Sequence, residues 1–410
     1  MLSLGFVCLL GFGVFAVAVA STLLIVPRVI VRARAWNVLD LPDRRKIHLE
    51  PTPRLGGLGL FPAIWLGTSV AILTALHSDK LNGLAGTQFS SNALSLFGFL
   101  IGGTGMFALG CIDDLKGLSA GQKLIAQSII SLVSIQFLPI PTSMLGAELS
   151  PAMGAFLLFS WLTIVPNSVN LLDGIDGLTS TLLLVFGLVI SILAFAGGQY
   201  PWVFVGLAFA GACTAFLKFN WSPAKIFLGD SGSLLLGFLV AYASVFFAMR
   251  AAPTAEIGME WNPIISVLLC GVWLLDTTAS IVRRYARQAP TLRVLRRVNK
   301  FQFMWYHQSA VRNIFRPDRE HLHHKLLESG LLHTGVVGVL TIFFGICAIS
   351  AIALQLRPTT NGIWILTALA LPLFAMAGLL HYCYVFQPAK RVPSHEAFAA
   401  STDVRSKSAA

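Results

Sequence analysis

Charge is what this chain of 410 residues has least of: Asp, Glu, Lys and Arg together make up 11% of it. A soluble domain carries about a quarter, so an ordinary globular enzyme is excluded. Cysteine is sparse too. Cys8, Cys111, Cys213, Cys270, Cys347 and Cys383 are scattered, mostly inside apolar runs, and none forms a C-x-x-C pair. That pattern argues against a disulfide framework and against a thiolate zinc site. No internal repeat is visible. Acids are outnumbered 18 to 29 by Lys and Arg, for a net charge of +11. With 56% hydrophobic residues and a mean hydropathy of +0.76, that excess reports membrane orientation, and no nucleic-acid partner is expected.

Apolar runs are what the chain does have. They lie near 3–27, 55–76, 94–111, 124–140, 152–166, 178–196, 202–217, 233–249, 263–281, 336–356 and 362–385. The expected fold is therefore all-α, a polytopic integral membrane protein with about 11 transmembrane helices. The first run has no basic n-region, and its positive charges (Arg28, Arg32, Arg34) follow it. It reads as a retained span with the N-terminus outside, not as a cleaved signal peptide. Eleven spans then put the C-terminus in the cytoplasm. All the positive charges except Lys80, Arg250 and Arg357 fall on that same side. The expected organisation is one polytopic domain over 1–386, with cytoplasmic loops at 31–54, 112–123, 167–177, 218–232 and 282–335. The tail, 387–410, is small and polar and reads as disordered.

Five of the acids fall in three motifs on the expected cytoplasmic side. Asp113 and Asp114 end the third apolar run. Adjacent carboxylates repel, and at a lipid boundary they are costly unless water or a cation is near. Between the fifth and sixth runs, Asn167, Asn170, Asp173 and Asp176 recur at every third position with no Lys or Arg among them. Neighbours in that series share a helical face, although Gly174 and Gly177 could break the helix. Such a stretch suits a metal or a polar substrate, or else a polar turn with helix caps. In Phe227-Leu228-Gly229-Asp230-Ser231-Gly232-Ser233, Asp230 alone reads as a helix N-cap. Its glycines would also let a phosphate approach a helix N-terminus.

A fourth cluster, His321-Leu322-His323-His324-Lys325, closes the long loop and offers phosphate donors, a base or metal ligands. Asp276 lies inside the ninth run, where an acid is paired or functional. Acids alone would repel phosphate. Acids holding Mg2+, with Lys116, Lys123, Lys218 and Lys225 around them, could bind a pyrophosphate. A transporter would place ionisable groups near the midplane, whereas these sit at helix ends.

These motifs resemble those of the polyprenyl-phosphate N-acetylhexosamine-1-phosphate transferases, glycosyltransferase family 4, from about Asp40 to Tyr384. The resemblance rests on Pro51-Thr52-Pro53-Arg54-Leu55-Gly56-Gly57, Asp113-Asp114 followed by Gly117-Leu118 and Lys123, the Asn170-to-Gly177 run, Asn220 ten residues before Asp230, and Phe227-Leu228-Gly229-Asp230. His321-Leu322-His323-His324 is similar to the branch that uses UDP-N-acetylglucosamine. The branch that loads muramoyl-pentapeptide is the second choice, and a flippase or transporter for a lipid-linked or nucleotide sugar is the alternative of another class.

The resemblance implies a UDP-N-acetylhexosamine donor and an undecaprenyl or other polyprenyl phosphate acceptor. It also implies a Mg2+ cofactor, with Mn2+ as a substitute, and a site at the cytoplasmic face of the cell membrane. Membrane lipids are expected contacts, and a homodimer is compatible. By the same resemblance, Asp230 and Asn170 would hold the metal. Asp113 and Asp114 would act on the acceptor phosphate, one as base or orienter and the other toward the metal. Asp173 and Asp176 would serve the donor side and support the metal. Asn220 and Phe227 would contact uracil. Lys123, His321, His323 and His324 would hold phosphates and sugar, and Arg54, with Lys46 and His48, would lie near the acceptor phosphate. Attack by the lipid phosphate on the β-phosphorus and an aspartyl-phosphate intermediate both remain open. One departure from the family pattern is the stretch between Arg283-Arg284 and Pro317-Asp318-Arg319, roughly twenty residues longer than in relatives. It is basic and aromatic, and reads as an interfacial amphipathic helix, a partner-binding helix or a spacer.

Overall fold

The computed structural model describes residues 4–42, 50–81, 91–249, 260–288, 321–356 and 362–384. Lys46, His48, most of the basic aromatic stretch and the tail after residue 384 lie outside them.

The described chain is helical. The first half comprises α1 (Leu4–Ala35), α2 (Gly57–Leu81), α3 (Ser91–Lys116), α4 (Ala120–Ser134), α5 (Pro151–Leu172), α6 (Leu178–Ala196), α7 (Tyr200–Asn220) and α8 (Gly229–Met249). After these come α9 (Pro263–Leu269), α10 (Gly271–Gln288), α11 (Leu322–Glu328), α12 (His333–Leu356) and α13 (Gly362–Tyr384). Two small sheets tie loops together. Leu39–Asp40 pairs antiparallel with Thr52–Pro53, and Ser143–Met144 lies between Ala147–Glu148 and Glu260–Trp261.

Each of the eleven apolar runs contains a helix, but the helices are not equivalent. Among the described residues, eight are long and apolar enough to cross a membrane, or nine if a bent pair counts as one. The bent pair is the ninth run. α9 and α10 meet at 88°, because the α-helix stops at Cys270 before Gly271 restarts it. The fourth run is short. At 15 residues α4 reaches about 22 Å, against a hydrocarbon core of about 30 Å. The last run forms α13, an apolar helix of 23 residues with Pro372 inside it. The architecture is an all-α polytopic membrane protein, with α4 and the bent pair departing from full-length single spans.

The chain divides into two compact units, Met1–Thr278 with Leu340–Pro372, and Ala279–Val339 with Leu373–Ala410. In the first unit α8 is the central helix. Every residue from Ser231 to Met249 is buried, and its neighbours include α3, α5, α2 and α9. A helix apolar on all sides belongs inside a bundle. α4 is built the other way round. Its buried residues are Gln127, Ser131 and Ser134, while Leu124, Ile125, Ile129, Leu132 and Val133 are exposed. A polar inner face and an apolar outer face suit a helix whose surroundings are lipid.

Candidate active site

The site grows from the first turn of α8. Gly229 takes a left-handed φ of 67°, and a Cβ there would lie 2.6 Å from an Asp114 carboxylate oxygen. Glycine therefore both allows the turn and admits the acid. Asp114, on the last turn of α3, accepts from the N–H of Asp230 (2.9 Å) and of Ser231 (3.0 Å). It satisfies two of the donors that a helix start leaves open, where a negative charge is favoured. The paired aspartates thus have different tasks, since successive helical residues point about 100° apart.

Asp113 turns toward α4. It is 7% exposed, and its Oδ1 accepts from Leu118 N at 2.6 Å, which closes the turn at Gly117. Its Oδ2 forms an ion pair with Lys123. Ser119 starts α4 with a capping box. Its Oγ accepts from Gln122 N, and its own N–H donates to Gln122 Oε1. That cap fixes the entry of α4 four residues before Lys123.

Asp230 is where the groups converge. Lys123 Nζ donates to Asp230 Oδ2 at 2.8 Å, and Asn170 Nδ2 donates to Asp230 Oδ1 at 2.5 Å. Asn170 also donates to Ser233 Oγ at 2.7 Å. Ser233, the last residue of the Phe227-to-Ser233 motif, thus shares the Asn170 amide with Asp230. Hydrogen bonds with a charged partner are the stronger kind, and five residues from α3, α4, α5 and α8 share this one network.

The stretch after α5 lies beside it. The helix stops at Leu172, and Asp173 is its C-cap. The three-residue periodicity of Asn167, Asn170, Asp173 and Asp176 therefore ends as helix geometry at Asn170. Burial and then the nearby charges of Asp230, Asp114 and Asp176 push the Asp173 carboxyl up to about 7. Asp176 Oδ2 accepts from Ala224 N at 3.0 Å, tying this turn to the loop before α8. Asn220, 4% exposed, is held by the protein on both sides of its amide. Its Oδ1 accepts from Gly177 N (3.1 Å) and Ser180 Oγ (2.8 Å), and its Nδ2 donates to Ile226 O (2.9 Å).

The segment before α2 is stitched to the same place. Phe227 N donates to Pro53 O (2.9 Å), while Gly56 N and Gly57 N donate to Phe227 O (3.0 Å) and Leu228 O (3.2 Å). Phe227 is half-buried. Arg54 forms an ion pair with Asp40.

His321, His323 and His324 belong to the second unit. His321 is the N-cap of α11, with Nδ1 3.5 Å from Ser280 Oγ, and His323 is almost fully buried. The three rings follow one another, with centroids 5.6 Å and 4.3 Å apart. Asp276 is buried within α10.

Among the described residues, no three carboxylate, imidazole or thiol groups form a metal cage by themselves. Mg2+ usually takes one or two carboxylates and completes its shell with water and substrate phosphates. The Asp230 and Asp113 carboxylates are hard oxygen donors of that kind, and the Asn170 amide, which here turns its nitrogen to Asp230, would join them by turning its oxygen instead. The Lys123 ammonium between the two carboxylates shows that a cation already fits there.

The fold and this cluster define a polytopic membrane protein with a charged site at helix ends. The family model described as "Glycosyl transferase family 4" matches residues 96–248, the span from α3 to α8 that builds the cluster. The chain is 31% identical over 362 residues to a "Decaprenyl-phosphate N-acetylglucosaminephosphotransferase" of Mycobacterium leprae, covering 83% of each chain. It is 29% identical over 347 residues to a "Probable undecaprenyl-phosphate N-acetylglucosaminyl 1-phosphate transferase" of Bacillus subtilis, covering 83% of this chain and 84% of that one. A "Phospho-N-acetylmuramoyl-pentapeptide-transferase" of Streptococcus mutans is 30% identical over 262 residues, 60% of this chain and 70% of that one. The chain belongs to glycosyl transferase family 4.

Proposed function

We propose that the protein transfers N-acetylglucosamine 1-phosphate from UDP-N-acetylglucosamine to undecaprenyl phosphate or another polyprenyl phosphate. The reaction releases UMP and starts a cell-surface polysaccharide or cell-wall polymer. It takes place at the cytoplasmic face of the cell membrane, where a soluble nucleotide sugar can meet a lipid. The observation that carries this reading is the convergence of Lys123 and Asn170 on Asp230, beside Asp113, at the ends of membrane helices. The names of the Mycobacterium leprae and Bacillus subtilis relatives support N-acetylglucosamine as the sugar.

An oxygen of the acceptor phosphate attacks the β-phosphorus, and the bond from that phosphorus to the oxygen bridging to the α-phosphate breaks. The acceptor is already an anion, so most of the work is positioning and charge neutralisation. Mg2+, or Mn2+ in its place, held by Asp230 with Asn170 and Asp113, would supply positive charge against the pyrophosphate. Lys123 exchanges one carboxylate partner for a phosphate oxygen. Asp113 orients the acceptor phosphate, or takes its proton if the monoanion binds. Asp114 holds the start of α8 so that Asp230 stays in place. Asp173 and Asp176 shape the donor side, where Phe227 offers a ring face for uracil and Asn220 fixes the loop that carries it. The histidines and Arg54 are assigned to donor and acceptor phosphates respectively.

The test is UMP release by purified protein given UDP-N-acetylglucosamine, Mg2+ and undecaprenyl phosphate. UMP release and a lipid-linked product, both abolished by EDTA, are expected. Absence of product with every UDP-N-acetylhexosamine tried, the muramoyl-pentapeptide donor included, would overturn the reading.

A further inference from the structure

Lys123 on α4 and Asn170 on α5 reach Asp230 from two different helices, so the register between those helices decides whether both arrive. One turn deeper in the seam lies a pair of amides that the transfer chemistry does not use. Asn167 Nδ2 donates to Gln127 Oε1 at 2.7 Å, and Gln127 Nε2 donates back to Asn167 Oδ1 at 3.4 Å. Asn167 also donates to Thr163 O at 2.8 Å. Gln127 is 1% exposed. A turn further in, Ser131 Oγ donates to Leu162 O (3.3 Å) and Thr163 Oγ1 donates to Ser131 Oγ (3.4 Å). Gln127 and Ser131 thus lie on one stripe of α4 with Lys123, and they face Asn167 and Thr163 of α5. An apolar seam could slide by a fraction of a turn at little cost. A reciprocal amide pair cannot slide, because slippage would leave buried donors and acceptors unpaired in a medium without water. Single buried polar residues are known to fix helix register in this way.

We infer that Gln127 and Asn167 are positioning residues. Their reciprocal amide pair sets the register of α4 against α5 so that Lys123 and Asn170 meet on Asp230. The inference deepens the transferase reading and rests on it for its effect on turnover, but its geometric content can be read without any activity.

The test compares wild type, Gln127→Leu, Asn167→Leu and the swap Gln127→Asn with Asn167→Gln, all as full chains in lipid nanodiscs. The first readout is acylation of Lys123 by an amine-reactive ester, followed by mass spectrometry, with exposed Lys116 and Lys218 as internal references. An ammonium held by two carboxylates reacts slowly. Either leucine variant is expected to speed Lys123 acylation about tenfold while the reference lysines stay within twofold, and the swap is expected to restore slow reaction. The second readout is UMP release. The leucine variants are expected to lose about tenfold in kcat and to need about tenfold more Mg2+, with KM for the donor within threefold of wild type.

Unchanged Lys123 reactivity in both leucine variants would overturn the inference. So would a uniform rise at all three lysines with no rescue by the swap, which is what general loosening gives. If Gln127→Leu does not fold, Gln127→Asn alone is read by the same criteria. A wild type that releases no UMP yet shows the Lys123 pattern would count against the transferase reading and leave the positioning inference standing.

Discussion

α8 and α4 meet the same site from opposite designs. α8 is buried along its whole length and carries one acid, Asp230, in its first turn. α4 buries only Gln127, Ser131 and Ser134 and turns its leucines and isoleucines outward. α8 is held by close packing and by the backbone bonds that Asp114 accepts, so it can present a carboxylate at a fixed point. α4 is held by a few polar bonds along one stripe, and it delivers a cation to that point. The acid belongs to the core and the cation to the periphery.

The largest expected stability effect separates the two helices outright. Phe238→Ala in α8 should cost about 3–5 kcal/mol by leaving a cavity in a dense core, read as a fall in unfolding midpoint in detergent. Midpoint loss close to zero would mean that α8 is not the packed centre. Next is the tie between α3 and α8. Asp114→Ala leaves the N–H groups of Asp230 and Ser231 without their acceptor and should cost about 1–3 kcal/mol, measured by denaturant titration.

A smaller effect concerns pH. Asp173 lies outside the helices, and its carboxyl is raised from 3.8 to about 7, first by burial and then by neighbouring acids. A raised folded value means that the folded state holds the proton more tightly than the unfolded chain. Its contribution to stability is fully present below about pH 4 and is lost as pH rises through about 7. In EDTA, Asp173→Asn should therefore flatten the fall in melting temperature between pH 5 and pH 8, on the order of the range where this group titrates. An equal slope in wild type and variant would remove Asp173 as its source. The smallest effect sharpens the contrast from the other side. Ile129→Ala, on the outward face of α4, should change stability by less than about 0.5 kcal/mol.

Much of this was legible in the sequence. The apolar runs located helices, and the scarcity of charge made five acids stand out. Four other features were not legible. Asp113 and Asp114 read as one pair, but a helix sends adjacent side chains to different partners, one to Lys123 and one to the α8 backbone. Asn167 read as part of a polar run of uniform spacing, yet α5 ends at Leu172. Asn167 faces α4 and the acids after it leave the helix. Gln127 carried no motif, although its spacing from Lys123, Ser131 and Ser134 was a stripe that periodicity alone could have found. The break at Cys270 likewise has no proline to announce it.

The central claim is that Asp230 is the point on which the transfer site converges, and UMP release by Asp230→Asn tests it most directly. The neutral variant keeps the shape of the side chain and its place in α8. The account predicts a loss of about a thousandfold or more in turnover at saturating Mg2+, with the melting temperature within a few degrees of wild type. Turnover within about tenfold of wild type would contradict it and leave Asp230 as an ordinary first-turn acid of α8.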